Sequence, residues 1–360
     1  MTEDREGLID LKSLKHEADP DIEIQSLRRN EKKLKAEIRR MQADYGDLKG
    51  YFNDVTEAIK DSGIQVQQMP PVKPIKPTKS KVATPVTAVL HLTDWHYGAC
   101  QDASEIEFVN SFSPEILESR INNLITDYAA WVDLHRAVYQ INELVILDTG
   151  DNISGDIHDE LRITNAYPTP VQAVKCGQFK GSVYSKLASH FDKVRVEFIT
   201  ADNHGRLTKK PQAKQEGLNN HNYTVGHVAK MVADQQENVT VNLHEVNEKS
   251  VNVGGRRYLI CHGHGIMGWA GFPYYGIERK VAKEAQARMN GPDENKFDRV
   301  VMGHWHAPLT HPKYWIGGSA SGTDSFDHKC GRRSLPIQCA WMVHPKKGEF
   351  DRTEFELHEG

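Results

Sequence analysis

The chain has 360 residues, of which 38% are hydrophobic and 26% charged, and its formal net charge is −4. That length allows one large catalytic domain with extra material, or two ordinary domains of roughly 100–200 residues. The slight acidity excludes a global basic field for nucleic acid, so any such contact would need a local patch.

Five cysteines (Cys100, Cys176, Cys261, Cys330, Cys339) form no CxxC pair and are odd in number. This argues against a disulfide framework and suits a reducing interior. The N-terminus MTEDREGLIDLK is acidic and has no apolar core, so it is not a signal peptide. No run approaches the ~20 apolar residues that a membrane span needs. A soluble, cytoplasmic protein without a membrane partner is expected.

Residues 1–66 form the first segment. Its apolar positions fall at Leu27, Leu34, Ile38, Met41, Tyr45, Leu48, Phe52, Val55 and Ile59, with steps after Leu34 alternating four and three. That is the 3.5-residue seam of a coiled coil, which predicts a homo-oligomer; an amphipathic helix folded on the chain's own body is the alternative. Residues 67–85, QQMPPVKPIKPTKSKVATP, set prolines among lysines and read as a semi-rigid extended linker. From residue 86 to 360 short β-rich runs (TAVLHLTD, ELVILDTGD, VRVEFITAD, RRYLICHG, DRVVMGH) alternate with helix-like segments, the pattern of an α/β domain.

Each of those runs stops at a polar cluster. Asp94-Trp95-His96 follows the first, Asp151 the second, Asn203-His204 the third, His262-Gly263-His264 the fourth and Gly303-His304-Trp305-His306 the fifth. Side chains alternate along a strand, so a D-x-H or H-x-H pair at its end can aim both groups at one point. Carboxylate, amide oxygen and imidazole together suit Mn²⁺, Fe, Zn²⁺ or similar ions rather than a thiolate site. A single such cluster is weak; five in succession, each after a hydrophobic strand, are hard to obtain by chance.

The series D-x-H, G-D, N-H, H-G-H, G-H-x-H resembles the calcineurin-like metallophosphoesterase superfamily over residues 86 to about 310. The resemblance implies a four-layer αββα sandwich, here preceded by the N-terminal helical coiled coil, and a two-metal phosphoesterase. Asp94, His96 and His306 would hold the first divalent ion, Asp151 would bridge, and Asn203, His262 and His304 would hold the second. Mn²⁺ is the first choice, with Fe, Zn²⁺, Ni²⁺ or Mg²⁺ as alternatives. Two cations about 3.5–4 Å apart would lower the pKa of a bridging water, making it the nucleophile. His204 stands where the superfamily keeps its general acid, a role worth ~10²–10⁴-fold.

Two departures from the superfamily pattern stand out. Gly205 occupies the place of the acid that usually follows the histidine, so proton transfer would rest on another carboxylate. After Asp151 the run NISGDIHDELR is unusual, and Asp156 and His158 either support the histidine from behind or cap a helix. His264 reads as a neighbour rather than a ligand, and His91 and His311 as structural.

Fold-level analogy does not choose the ester. Arg206, Lys209 and Lys210 directly follow the catalytic motif and could bind flanking phosphates, while Trp269, Tyr274 and Tyr275 follow His264 and could stack on unpaired bases. Packing of the domain's own lid is the plain alternative for those aromatics. The run NHGRLTKKP, with GDNISGDIH upstream, is similar to phage-encoded, repair-exonuclease-like metallophosphoesterases. That likeness implies a DNA nuclease, the host cytoplasm as its place, and a possible ATPase partner. A nucleotide or cyclic-nucleotide phosphodiesterase or phosphomonoesterase is the alternative. A non-catalytic coiled-coil assembly protein is disfavoured, because every expected ligand is present.

Overall fold

Strands β1 (Pro85–Leu92), β2 (Gln140–Asp148), β3 (Lys193–Ile199) and β4 (Val239–His244) run parallel in one sheet. Antiparallel β10 (Ile337–His344) and β11 (Gly348–Glu356) extend that sheet beyond β1, giving the order β11-β10-β1-β2-β3-β4. The computed structural model from which this is drawn describes Lys32, Lys35, residues 84–267 and residues 272–359. The coiled-coil segment and nearly all of the linker therefore lie outside the described residues, as does Trp269. A second sheet holds β5 (Glu248–Val253), β6 (Arg256–Cys261), β7 (Arg299–Met302), β9 (Tyr314–Ile316) and β8 (Leu309–Thr310), in that order.

Alternation along the strands builds the layers. Ala88, Leu90 and Leu92 face one side of the first sheet with Leu144, Ile146, Val196 and Phe198. There they pack on helices α1 (Pro114–Arg136), α3 (Thr169–Ala188) and α4 (His221–Ala233). The alternate residues Val89, Val145, Leu147 and Ile199 face Tyr258, Ile260, Val301 and Trp315 of the second sheet. On that sheet's far side, Leu259, Val300 and Ile316 cover Ile277 and Val281 of α5 (Tyr274–Arg288). The result is a helix–sheet–sheet–helix sandwich of four layers. Short helices α2 (Leu161–Thr164) and α6 (Ser325–Lys329) lie in the connections. Among the described residues no helix is long and apolar enough to cross a membrane.

Local chemistry explains α1, the longest helix among the described residues. Ser113 accepts a hydrogen bond from the Ile116 N–H, Pro114 opens the first turn, and Leu117, Ile121, Leu124, Tyr128 and Val132 form one buried stripe. The parallel order matters most, because the carboxyl ends of β1, β2 and β3 come out on one edge, where open α/β sheets place their sites.

Candidate metal centre

Each polar cluster begins within a few residues of a strand's end: Asp94 after β1, Asp151 after β2, Asn203 after β3, His262 after β6, and His304 and His306 after β7. The chain turns sharply at these points. Asp94, His96, Asp151, His304 and His306 have φ of 53°, 46°, 47°, 73° and 56°. Such left-handed backbone costs an L-residue roughly 1–2 kcal/mol. Backbone bonds between the loops hold it in place. Asp94 N–H donates to the Gly150 carbonyl (3.0 Å), His96 N–H to Asp151 (3.0 Å) and Gly303 N–H to His262 (3.0 Å). The His304 N–H donates to the Asp94 carboxylate, 3.0 Å from both oxygens.

The side chains converge. His306 Nε2 lies 3.6 Å from Asp94 Oδ1 and 3.1 Å from His96 Nε2. His262 Nε2 lies 2.9 Å from both Asp151 Oδ2 and Asn203 Oδ1. Asp94, His96 and His306 make one set with ligand atoms within 4.8 Å of one another, and Asp151, His262 and His304 make another. Asp151 also groups with His96 and His204, so its carboxylate stands between the two sets. Asp94, His96, Asp151 and His262 are buried, and Asn203, His204, His304 and His306 are half-buried.

The donor set fits divalent cations. Two imidazole nitrogens 3.1 Å apart, both with their Nε2 facing the same space, need a proton or an ion between them. Burial works against charge on His262 and His306, but Asp151 beside the first and Asp327 beside the second outweigh it, and both are pushed up to about 9. Burial, reinforced by neighbouring histidines, holds His96 and His304 well below the usual imidazole range, leaving them neutral lone-pair donors. Asp151 is desolvated, yet His262 and His204 keep it well below the ordinary carboxylate range. Buried carboxylates that draw protons onto nearby imidazoles demand positive charge at this point, which oxygen- and nitrogen-preferring ions can supply.

His204 flanks the centre, with Nε2 4.0 Å from Asp151 Oδ2. Its Nδ1 bonds the Ser154 carbonyl at 2.7 Å, and its backbone N–H donates to Asp151 Oδ1 at 3.1 Å. The orienting partner is thus a main-chain carbonyl where a carboxylate was expected. Gly205 shows why no acid follows: a Cβ there would come within 2.1 Å of Asn220 Oδ1 and 2.9 Å of Asp202 Oδ1.

Arg206 bonds the carbonyls of Thr208 (2.9 Å) and Lys209 (3.0 Å), and Lys209 pairs with Asp159 (2.6 Å). Lys210 is exposed. His158 approaches His204, ring centroids 6.5 Å apart, whereas Asp156 turns towards Arg162 at 4.0 Å. Neither side chain caps α2, whose cap residue is Glu160. His264 pairs with Glu216 (2.7 Å), His91 bonds Thr149 Oγ1 (2.8 Å) and His311 stacks on Tyr314. Tyr274 and Tyr275 open α5 and are 56% and 79% exposed. A run of ring contacts joins Tyr274 to Phe272 (4.6 Å), Phe272 to Trp305 (5.9 Å) and Trp305 to His304 (4.8 Å).

Two carboxylates at the centre escaped sequence reasoning. Buried Asp202 accepts the N–H groups of Asp151 (2.9 Å) and Gly205 (2.7 Å), and burial with the Asp151 charge raises it to about 6. Its position immediately before Asn203 was the available signal. Asp327, 2.9 Å from His306 Nδ1, lies far beyond the last motif and gave none. A cavity of about 540 Å³ opens beside Asn203 and His304, walled by His158, Arg206, Glu216 and His264 among others.

No protein-family model matches the chain. No curated protein matches it either. Several solved structures share a loose overall likeness. Zinc-bound Vps29 from Entamoeba histolytica is 11% identical with a TM-score of 0.27, over 75% of this chain and 99% of that one. A conserved protein of Streptococcus pneumoniae, described as a predicted phosphoesterase, is 11% identical with a TM-score of 0.24, over 50% and 90%. A candidate 5′-nucleotidase from Staphylococcus aureus is 9% identical with a TM-score of 0.30, over 76% and 55%.

Proposed function

We propose that the chain is a metal-dependent phosphoesterase of the calcineurin-like kind that hydrolyses phosphodiesters, with DNA as its substrate. One observation carries the reading: side chains from five strand ends converge on a buried, cation-demanding point, with Asp151 between two donor sets. Asp94, His96 and His306 would hold one divalent ion, Mn²⁺ in the first place, and Asn203, His262 and His304 a second, with Asp151 shared. When bound, such ions neutralise phosphoryl oxygens and activate water.

The chain's own groups do the rest. His204 donates Nδ1–H to the Ser154 carbonyl, so its imidazolium form carries a proton on Nε2, towards the centre. That proton would go to the leaving oxygen. Tyr274 and Tyr275, exposed where α5 begins, offer faces on which unpaired bases can stack, each worth ~1–3 kcal/mol, while Phe272 and Trp305 behind them pack on the domain's own core. This favours single strands or frayed ends over intact duplex. The heptads of residues 1–66 would join copies of the chain, and an ATPase partner would open duplex substrates.

A second reading, hydrolysis of a single nucleotide or cyclic nucleotide, is favoured by the cavity beside His304. Its charged walls are internally engaged: His264 with Glu216, Lys280 with Glu248, and Arg206 with two carbonyls. Such a chamber seats a neutral base or sugar better than a chain of phosphates. Mn²⁺-loaded protein should be offered bis-p-nitrophenyl phosphate, p-nitrophenyl phosphate, cyclic nucleotides and labelled single- and double-stranded DNA. Cleavage of diester and single strand is expected. Cleavage of the monoester alone would sink the diesterase reading, and cyclic nucleotides cut with DNA untouched would establish the second.

A further inference from the structure

The histidines of the centre are held from behind by different groups. His262 Nδ1 bonds the Thr149 carbonyl at 2.9 Å and His204 Nδ1 the Ser154 carbonyl at 2.7 Å, both neutral acceptors on the main chain. His306 Nδ1 instead meets a carboxylate, Asp327 Oδ2, at 2.9 Å. Asp327 is 4% exposed and comes from α6, a segment with no motif of its own.

That segment is firmly placed. Asp324 caps α6 by accepting the Asp327 N–H at 2.7 Å, and the Arg332 N–H donates to the Asp327 carbonyl at 2.8 Å. Ser325 is tied to Gln101 through both its N–H (2.9 Å) and its hydroxyl (2.8 Å), while Arg333 reaches Glu107 at 2.8 Å. His306, Asp324 and Asp327 also lie close enough to resemble a separate cation site. Asp324 already serves as the helix cap and His306 Nδ1 is bonded to Asp327, so this trio is a support.

We propose that Asp327 is a positioning residue that makes the Asp94–His96–His306 set the tighter of the two metal sites. The assignment rests on the two-ion reading above. The carboxylate accepts Nδ1–H and so, once the ring has given up its Nε2 proton, fixes the tautomer whose bare Nε2 points at Asp94 and His96. It also places a carboxylate charge behind the ring, offset only in part by the half-exposed Arg332 Nε 3.3 Å from its other oxygen, and this strengthens Nε2 as a donor, whereas the carbonyl behind His262 contributes only a dipole. Partners of this kind commonly change metal affinity by ~10–100-fold.

The test is metal uptake by the full-length, metal-free chain, followed calorimetrically with Mn²⁺ and by the visible absorption of Co²⁺. Wild type should take up two ions in distinguishable steps, the tighter of which disappears in His306→Ala. Asp327→Asn keeps an acceptor for Nδ1–H but removes the charge, and should weaken that same step by ~10-fold or more, leaving the other unchanged. Asp327→Ala should weaken it further, and Asp327→Glu should restore part of the loss and of the Co²⁺ spectrum. Unchanged steps in Asp327→Asn would overturn the proposal, as would equal weakening of both steps with a lowered melting point of the metal-free chain. A wild-type chain that binds no ion would sink the two-ion centre itself, and the assignment with it; loss of one step in His306→Ala shows which of the two has failed.

Discussion

Gly155→Ala should disable the His204 imidazole through its backbone. Gly155 sits at φ +66°, and a Cβ there would stand 1.9 Å from the His204 carbonyl oxygen, against a closest ordinary approach of 3.0 Å. The two segments must therefore part by about 1.1 Å, the difference between those distances. The left-handed backbone adds roughly 1–2 kcal/mol of strain for alanine. Neighbouring Ser154 supplies the carbonyl that orients His204, so the parting breaks the 2.7 Å bond on which the imidazole depends. Misplacement of a reacting group by ~1 Å can cost ~10²-fold in rate. Hydrolysis of a diester with an alkoxide leaving group should fall by about that factor. Bis-p-nitrophenyl phosphate, whose leaving group needs no proton, should be cut at close to the wild-type rate. In a His204→Ala background the second substitution should add little, because both act through one imidazole. Equal slowing on both substrates, or a full further loss in the His204→Ala background, would refute this chain of reasoning.

Buried His91 gives a pH signature. Burial, then the charge of Arg352, lowers it from 6.5 to about 3, so between those values the unfolded chain binds the proton and the folded chain does not. Stability therefore falls as pH drops below 6.5, and His91→Gln should lose about 2 kcal/mol less than wild type between pH 7 and 5 in urea unfolding; parallel losses would contradict this. Metal uptake should likewise release protons. His262 and His306, both raised to about 9 in the metal-free chain, must give up protons to ligate, so affinity should rise with pH towards 9. Calorimetry in buffers of different ionisation enthalpy should find close to two protons released at pH 7; none released would contradict the assignment. Removal of residues 1–65 should reduce the mass per particle in light scattering, and an unchanged mass would remove the coiled-coil oligomer.

The strands and the polar residues gathered at their ends were legible together because the same alternation serves both. A strand buried on both faces reads as a largely apolar run, and the polar residues just past its end come out at the sheet edge, as Asp94 does after β1. Asp327 was not legible, since a carboxylate that reaches its histidine across a connection leaves no spacing to recognise. Gly205 was visible as a departure, but its reason is a three-dimensional crowding with Asn220 and Asp202. The basic run after His204 shows the same gap. Its spacing shows that cations follow the motif, while only geometry shows Arg206 turned to its own loop's carbonyls and Lys209 to Asp159.

Because Asp94, His96, Asp151, His304 and His306 occupy left-handed turns stitched together by backbone bonds, the main chain itself shapes the centre. Glycine would relieve the strain at the three histidine corners, whereas at Asp94 and Asp151 it would also remove the carboxylates that hold the His304 and His204 N–H groups. Selection for chemistry and preference for folding pull in opposite directions there. A lineage that lost its need for catalysis would be expected to drift towards small, permissive residues at the three histidine corners first and to keep Asp94 and Asp151 longest.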